Sequence, residues 1–458
     1  MTTPDPVRAQ ADRRPLHPAL VTPTASWTWT DLDARVGACA RRLARLDAPN
    51  GRVGVVARTQ PDLVVLVLGA LRARRTLVPL SPRWTPAMRR EAADRLGLQA
   101  VVDEGAASLG ALARPDGERR GETPPLRLDA PFTVVHTSGS TGPPKAALHT
   151  WGNHVASARG LAERFPLGPG DRWLLDLPLA HVGGLGVVVR CALAGATLVL
   201  PGPDLSVAEA VARLRPTYAS LVSTQLVRLL RDVDGPLDAL RVVLLGGSAF
   251  PPALLDEALG RGLPVVLGYG MTEMTSTVTS TALPPDREAL DTSGTALTGR
   301  EVRVSDSGEI EVRGASLFAG YVEGGAVRRP VDAEGWYATG DRGALDASGR
   351  LVVEGRIGNG FVSGGENVQP EAIEAALLAL PEVDAAVVVA VPDAEFGARP
   401  VAFVRTHGVP LDAPVLEGAL RRVLPGLMVP DAFYAWEGPV GLKPDRTALA
   451  GEARRRAE

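Results

Sequence analysis

His136-Thr137-Ser138-Gly139-Ser140-Thr141-Gly142-Pro143-Pro144-Lys145 is a run of hydroxyls and glycines that follows an apolar stretch, residues 132–136, with the texture of a strand. Placed there, such a run leaves backbone N–H groups and hydroxyls free to cradle phosphate oxygens, and Lys145 adds a positive charge. It is not a Walker A loop, which needs Gly-Lys followed by Ser or Thr; neither lysine of this chain follows a glycine. There are only two lysines, Lys145 and Lys443, among 49 basic residues. Arginine carries the rest of the positive charge. The two ammonium groups therefore mark positions that need a compact point charge and not a planar fork.

On both sides of this run, from about residue 52 to 270, short apolar stretches alternate with longer helix-like ones. Strands are expected at 52–58, 76–80, 173–177, 197–200, 218–222, 241–245 and 264–268, with helices at 61–74, 207–214, 225–231 and 252–259. Continuously apolar strands separated by helices imply parallel sheets covered on both faces. Residues 114–125 read as a polar surface connection. After about residue 300 the pattern becomes alternating, as in antiparallel strands, at 301–304, 309–313 and 350–354. A last compact segment carries a helix opened by Pro370, with Ile373, Leu377 and Leu380 on one face, then strands at 385–391 and 401–405. The expected architecture is α/β: a large N-terminal body of helix-covered, mainly parallel sheets with a β-rich part, residues 1–355, and a small mobile α+β unit, 356–458.

The 458 residues are 45% apolar, enough to fill both cores. A net charge of -3 offers no basic field for nucleic acid or an anionic membrane. Cys39 and Cys191 build neither a disulfide framework nor a CxxC metal site, which points to a reducing cytoplasm. No basic-then-apolar leader opens the chain and no apolar run reaches membrane-spanning length, so a soluble cytoplasmic protein without membrane insertion is expected. Association into a homo-oligomer stays open. Hydrolase signatures, a Gly-x-Ser-x-Gly elbow or a His-Glu-x-x-His helix, are absent from the sequence.

The 137–145 segment resembles the phosphate loop of adenylate-forming enzymes, the group of acyl-CoA synthetases, luciferases and peptide-synthetase adenylation domains, although Ala146 stands where members usually carry glycine. The likeness continues in order through Gly246-Gly247-Ser248, Gly268-Tyr269-Gly270-Met271-Thr272-Glu273, Tyr337-Ala338-Thr339-Gly340-Asp341 and Arg356. It implies ATP, Mg²⁺ and coenzyme A as cofactors or co-substrates. Thr137, Ser138, Gly139, Ser140, Thr141 and Gly142 would meet the phosphates; Gly246, Gly247, Ser248, Tyr269 and Gly270 the adenine. Asp341 and Arg356 would hold the ribose, Thr272 the α-phosphate, and Glu273 with Thr141 the metal, a hard cation that suits oxygen ligands. Lys145, Thr272, Glu273 and Lys443 would be catalytic. Lys443, followed by Arg446 three residues later, fits the family's late lysine, which offsets charge gathered when a carboxylate attacks ATP. Ser363, Gly364 and Gly365 would line the thiol's path, and Gly358 stands at the family's hinge.

Within that group the resemblance is to o-succinylbenzoate–CoA ligases of menaquinone biosynthesis. It is carried by residues 177–185, Arg190, residues 244–249 and residues 361–370. Arg190 interrupts an apolar, helical run, 185–193, where an unpaired charge is costly. It snorkels to water, pairs with an internal carboxylate, or faces an anionic ligand such as the aromatic carboxylate of o-succinylbenzoate. His181, Ser223, Thr224 and Gly268 are the other candidates for the acid pocket, whereas His154 is expected to pack near the loop without doing chemistry. Two alternatives stay open: a CoA ligase for another aryl or medium-chain carboxylic acid, and a stand-alone adenylation domain loading a carrier protein.

Overall fold

The computed structural model describes residues 1–457 apart from 83, 104–108, 119–120, 138–144, 234, 236, 248–249, 251, 364–365, 394–395 and 439–443. Ser138 to Gly142, Ser248, Gly364, Gly365 and Lys443 thus lie outside the described residues.

Two sheets form the body. In the first, Val265–Met271, Val242–Leu245, Tyr218–Leu221, Arg172–Leu174, Thr197–Val199 and Pro18–Val21 run parallel in that spatial order, with antiparallel strands at both edges. Strand Val242–Leu245 is buried along its whole length, as expected of a parallel strand covered on both faces. In the second sheet, Pro131–Thr137, Thr76–Leu80, Arg52–Val56 and Val101–Asp103 are parallel, and Lys145–Thr150 returns antiparallel beside Pro131–Thr137. Helix Pro61–Arg72, opened by proline at its first turn, is apolar all round from Leu63 to Leu71 and buried throughout that stretch. It ends two residues sooner than the sequence pattern suggested, because Arg74 takes a left-handed conformation at φ 55°.

Other boundaries moved as well. The strand expected at 173–177 is Arg172–Leu174, and the one expected at 264–268 continues to Met271, carrying Tyr269 and Gly270 into the sheet. Helices Pro6–Arg13, Trp29–Ala44 and Trp151–Arg164 were not anticipated. The antiparallel part is a sheet of Arg300–Val304, Glu309–Gly314, Tyr337–Leu345 and Leu351–Arg356 in that order.

From residue 361 on, buried side chains cluster among themselves. Val368, Ile373, Leu377, Val388, Ala402, Val404, Leu416 and Leu420 form a core between helix Pro370–Leu378, helix Ala413–Leu420 and a sheet of Val383–Asp393, Gly397–Thr406 and Ala432–Ala435. Leu380 follows the end of its helix and packs against this core partly buried. Arg446 opens the last helix, Arg446–Ala457, and pairs with Glu374 at 2.7 Å and Glu371 at 3.6 Å. No helix among the described residues is long and apolar enough to cross a membrane.

Candidate active site

Four of the expected site segments follow the ends of parallel strands. Strand Pro131–Thr137 delivers Thr137 to the loop, Val242–Leu245 runs into Gly246 and Gly247, Tyr218–Leu221 into Ser223, and Val265–Met271 into Thr272 and Glu273. Carboxyl ends of strands in an open α/β sheet are the usual ligand crevice. A Cβ on Gly246 would lie 3.1 Å from the Gly268 carbonyl oxygen, a tight contact to which the facing strand end would have to give by a few tenths of an ångström. Gly247 sits at φ 81°, a conformation that favours glycine.

Asp341 and Arg356 are cross-strand partners in the antiparallel sheet. The Arg356 guanidinium donates to Asp341 Oδ1 at 2.7 Å and to the Thr339 carbonyl at 2.9 Å, while the Tyr269 hydroxyl donates to Asp341 Oδ2 at 2.6 Å. Each carboxylate oxygen thus accepts one bond from these residues and keeps a lone pair for a further donor, the capacity two ribose hydroxyls need. Burial, then the Asp341 charge, pushes the Tyr269 hydroxyl well above its ordinary pKa, so it remains a donor. Below, Thr339 anchors the turn by donating to the Ile310 carbonyl at 2.7 Å and accepting from the Asp341 N–H at 3.0 Å.

Glu273 is buried, and its Oε1 accepts from the Tyr321 hydroxyl at 2.6 Å. Since that proton is committed, the Tyr337 hydroxyl, 2.9 Å away, is the donor to Tyr321. The Lys145 ammonium lies 5.2 Å from the centre of the Tyr321 ring. Lysine, ring and carboxylate therefore form one cluster, which links the lysine after the loop to the proposed metal carboxylate. Tyr321 was not anticipated; nothing in its neighbourhood in the sequence distinguishes it. Among the described residues no group of three or more His, Cys, Asp or Glu could hold a metal. A single carboxylate suits Mg²⁺ that takes its remaining ligands from phosphates, water and a hydroxyl.

Residues 272–276 form a strained turn: Thr275 has φ 55° and Ser276 φ 113°, each costing roughly 1–3 kcal/mol. Neighbours hold it from several sides. Ser157 Oγ donates to the Thr275 carbonyl at 2.7 Å, Thr275 Oγ1 donates to the Ser316 carbonyl at 2.7 Å, and the Phe318 N–H to the Glu273 carbonyl at 2.8 Å. His149 Nε2 meets the Thr272 carbonyl at 2.8 Å. Arg190 Nη2 donates to Ser276 Oγ at 3.1 Å.

Arg190 lies in helix Val182–Ala194 and is 4% exposed. It has no carboxylate partner among the described residues; besides Ser276 it faces the Trp173 ring at 5.4 Å, and its Nε lacks a hydrogen-bond partner there. Burial, then nearby Arg300, pushes its pKa down to about 10. It therefore neither snorkels nor pairs with a described acid, and its contacts there are the Ser276 hydroxyl and the Trp173 ring. Gly186, one turn earlier, gives the guanidinium its seat: a Cβ there would lie 3.1–3.3 Å from the guanidinium atoms. His181, by contrast, is exposed at the N-cap of that helix. Ser223 opens helix Ser223–Asp232; the Thr224 side chain lies outside the description. Ser363 is fully buried and accepts from Arg399 Nη1 at 3.3 Å. His154 is buried against Phe132 and faces the Thr133 hydroxyl.

The AMP-binding enzyme family model matches residues 7–322, and the model of the AMP-binding enzyme C-terminal domain matches residues 372–439. The chain belongs to this family of adenylate-forming enzymes. It is 38% identical over 382 residues to a 2-succinylbenzoate–CoA ligase of Escherichia coli K12, covering 82% of this chain and 81% of that one. Its fold is similar to that of o-succinylbenzoate CoA synthetase (MenE) from Bacillus subtilis in complex with the acyl-adenylate intermediate OSB-AMP, with TM-score 0.87, 27% identity and 98% of each chain covered. The same B. subtilis enzyme in complex with ATP and magnesium ion matches with TM-score 0.87 and 27% identity, over 98% of this chain and 100% of that one.

Proposed function

We propose that this chain is an AMP-forming acid–CoA ligase that activates o-succinylbenzoate for menaquinone biosynthesis. In the first half-reaction the succinyl carboxylate attacks the α-phosphorus of ATP; the new C–O–P bond forms as the bond to pyrophosphate breaks. In the second, the coenzyme A thiol loses its proton and its sulfur attacks the acyl carbonyl, expelling AMP. Magnesium, held by Glu273 and Thr141, would neutralise phosphate charge. Thr272 meets the α-phosphate, Asp341 and Arg356 the ribose, Tyr269 the adenine, and Lys145 the leaving phosphates. Lys443 supplies the second ammonium, and the smaller unit, residues 356–458, turns about Gly358 between the two half-reactions. Gly358 sits at φ 92° with open space around it, between Ile357, whose N–H donates to the Gly340 carbonyl, and Asn359, which donates to Glu371.

The observation that carries the choice of acid is Arg190, a buried cation without a described carboxylate, bonded to the same turn that bears Thr272 and Glu273. A monocarboxylic acid spends its only charge on the phosphate and leaves Arg190 unpaired; o-succinylbenzoate has a second carboxylate for it. Pyrophosphate release should be measured with o-succinylbenzoate, benzoate and octanoate in the presence of MgATP and coenzyme A. The dicarboxylate should exceed the others in kcat/KM by about 100-fold or more, the scale of a buried charge pair lost. Equal use of benzoate or octanoate, or absence of a free CoA thioester, contradicts the proposal.

A further inference from the structure

We propose that His149 is a positioning residue for acyl-AMP formation: with Thr133 and His154 it forms a one-directional hydrogen-bond chain that fixes the Thr272 carbonyl and so aims Thr272 and Glu273. This rests on the assignment of those two residues to the nucleotide.

The direction follows from elementary donor and acceptor accounting. A carbonyl oxygen only accepts, so His149 Nε2, 2.8 Å from it, carries the hydrogen. The ring is fully buried and burial pushes its pKa down to about 4, so it is neutral and has one N–H. Its Nδ1 is therefore an acceptor, and the Thr133 hydroxyl, 3.3 Å away, donates to it. That hydroxyl oxygen in turn accepts from His154 Nε2 at 2.9 Å. One carbonyl thus sets the tautomers of two imidazoles, which pack edge to face with centroids 5.6 Å apart. The members come from three elements: strand Pro131–Thr137, strand Lys145–Thr150 and helix Trp151–Arg164.

Apolar side chains could fill the same volume. The Thr272 carbonyl also accepts from the Thr275 N–H at 2.9 Å, within the turn itself. What apolar side chains could not supply is the second donor, the one that ties this carbonyl to the neighbouring strand. On the far end of the turn Arg190 holds Ser276, so the two braces grip the strained residues Thr275 and Ser276 between them. The histidine chain acts on the phosphate side, the arginine on the acid side.

The test compares His149→Gln, His149→Leu and Thr133→Val. Glutamine keeps an amide N–H close to the place of Nε2; leucine removes it; valine leaves Nδ1 without its donor and unlocks the tautomer. His149→Leu and Thr133→Val should lower kcat for pyrophosphate release by about 10- to 100-fold, the scale of a small misplacement of reacting groups. KM for the acid should change by less than about twofold, and His149→Gln should recover most of the rate. Nitrogen-15 NMR of histidine-labelled wild-type protein should show His149 as the Nε2–H tautomer, a readout independent of activity and of variant folding. An Nδ1–H tautomer, or His149→Gln no better than His149→Leu, overturns the proposal. Glu273→Gln separates the two readings. If it abolishes adenylation while His149→Leu does not, the brace alone fails. If it leaves adenylation intact, the nucleotide assignment fails and the proposal with it, whatever the tautomer.

Discussion

If Arg190 meets the second carboxylate as proposed, it is the residue at which stability and substrate choice pull in opposite directions. Burying a cation without a carboxylate costs several kcal/mol even after relaxation, of the order seen for one ion of a buried pair. Such a cost persists where function uses it. Arg190→Leu should therefore lower kcat/KM for o-succinylbenzoate by about 100-fold or more, leave KM for ATP within about twofold, and keep or raise Tm. Steady-state kinetics and thermal unfolding read both; unchanged kcat/KM would remove Arg190 from the acid pocket. The sequence made Arg190 legible because a lone charge in the apolar run 185–193 demands an explanation. It also made Asp341, Arg356 and Glu273 legible through their local order. It could not reveal Tyr321 or Thr133, whose roles arise from contacts with residues 48 and 16 positions away in the chain. His149 was missed for the same reason, since its bond to Thr272 spans 123 positions.

At the scale of elements, helix Val182–Ala194 shows how packing and propensity diverge. Glycine is a poor helix former, yet Gly183, Gly184 and Gly186 all lie in its first turns. A Cβ on Gly184 would come within 2.6 Å of the Pro178 carbonyl oxygen, which excludes a side chain outright. Gly186 differs, since only the flexible end of Arg190 lies over it. Gly186→Ala should stabilise the helix by up to ~1 kcal/mol while shifting the guanidinium, raising KM for o-succinylbenzoate several-fold with KM for ATP unmoved. Kinetics beside a denaturation curve decides; an unaltered acid KM would mean the guanidinium is not seated on Gly186. The parallel strands were readable because they are short, apolar and separated by helices. Their ends were not. After Leu174 the chain leaves its sheet although Leu175 is still apolar and buried, and no local pattern records where pairing with a neighbour stops. The antiparallel sheet was readable from alternation, and only its register, which sets Arg356 opposite Asp341, needed the structure.

At the scale of the whole molecule, the proposal has the body supplying the acid and nucleotide groups and the unit after residue 355 supplying Lys443. Arg446, which the sequence joined to Lys443 as one signature, is bonded within that unit to Glu374 and Glu371, so it ties down the start of the last helix. On the proposed reading, a single ammonium from this unit would serve the first half-reaction, and rotation about Gly358 would withdraw it for the second. The direct measurement is a single-turnover time course with o-succinylbenzoate and MgATP, first without and then with coenzyme A, for the wild-type protein and Lys443→Ala. The wild type should release one equivalent of pyrophosphate and hold acyl-AMP until coenzyme A converts it to thioester and AMP. Lys443→Ala should slow pyrophosphate release by about 100-fold or more yet make thioester from supplied acyl-AMP at the wild-type rate. No pyrophosphate before coenzyme A is added, or equal loss in both half-reactions, would contradict the account.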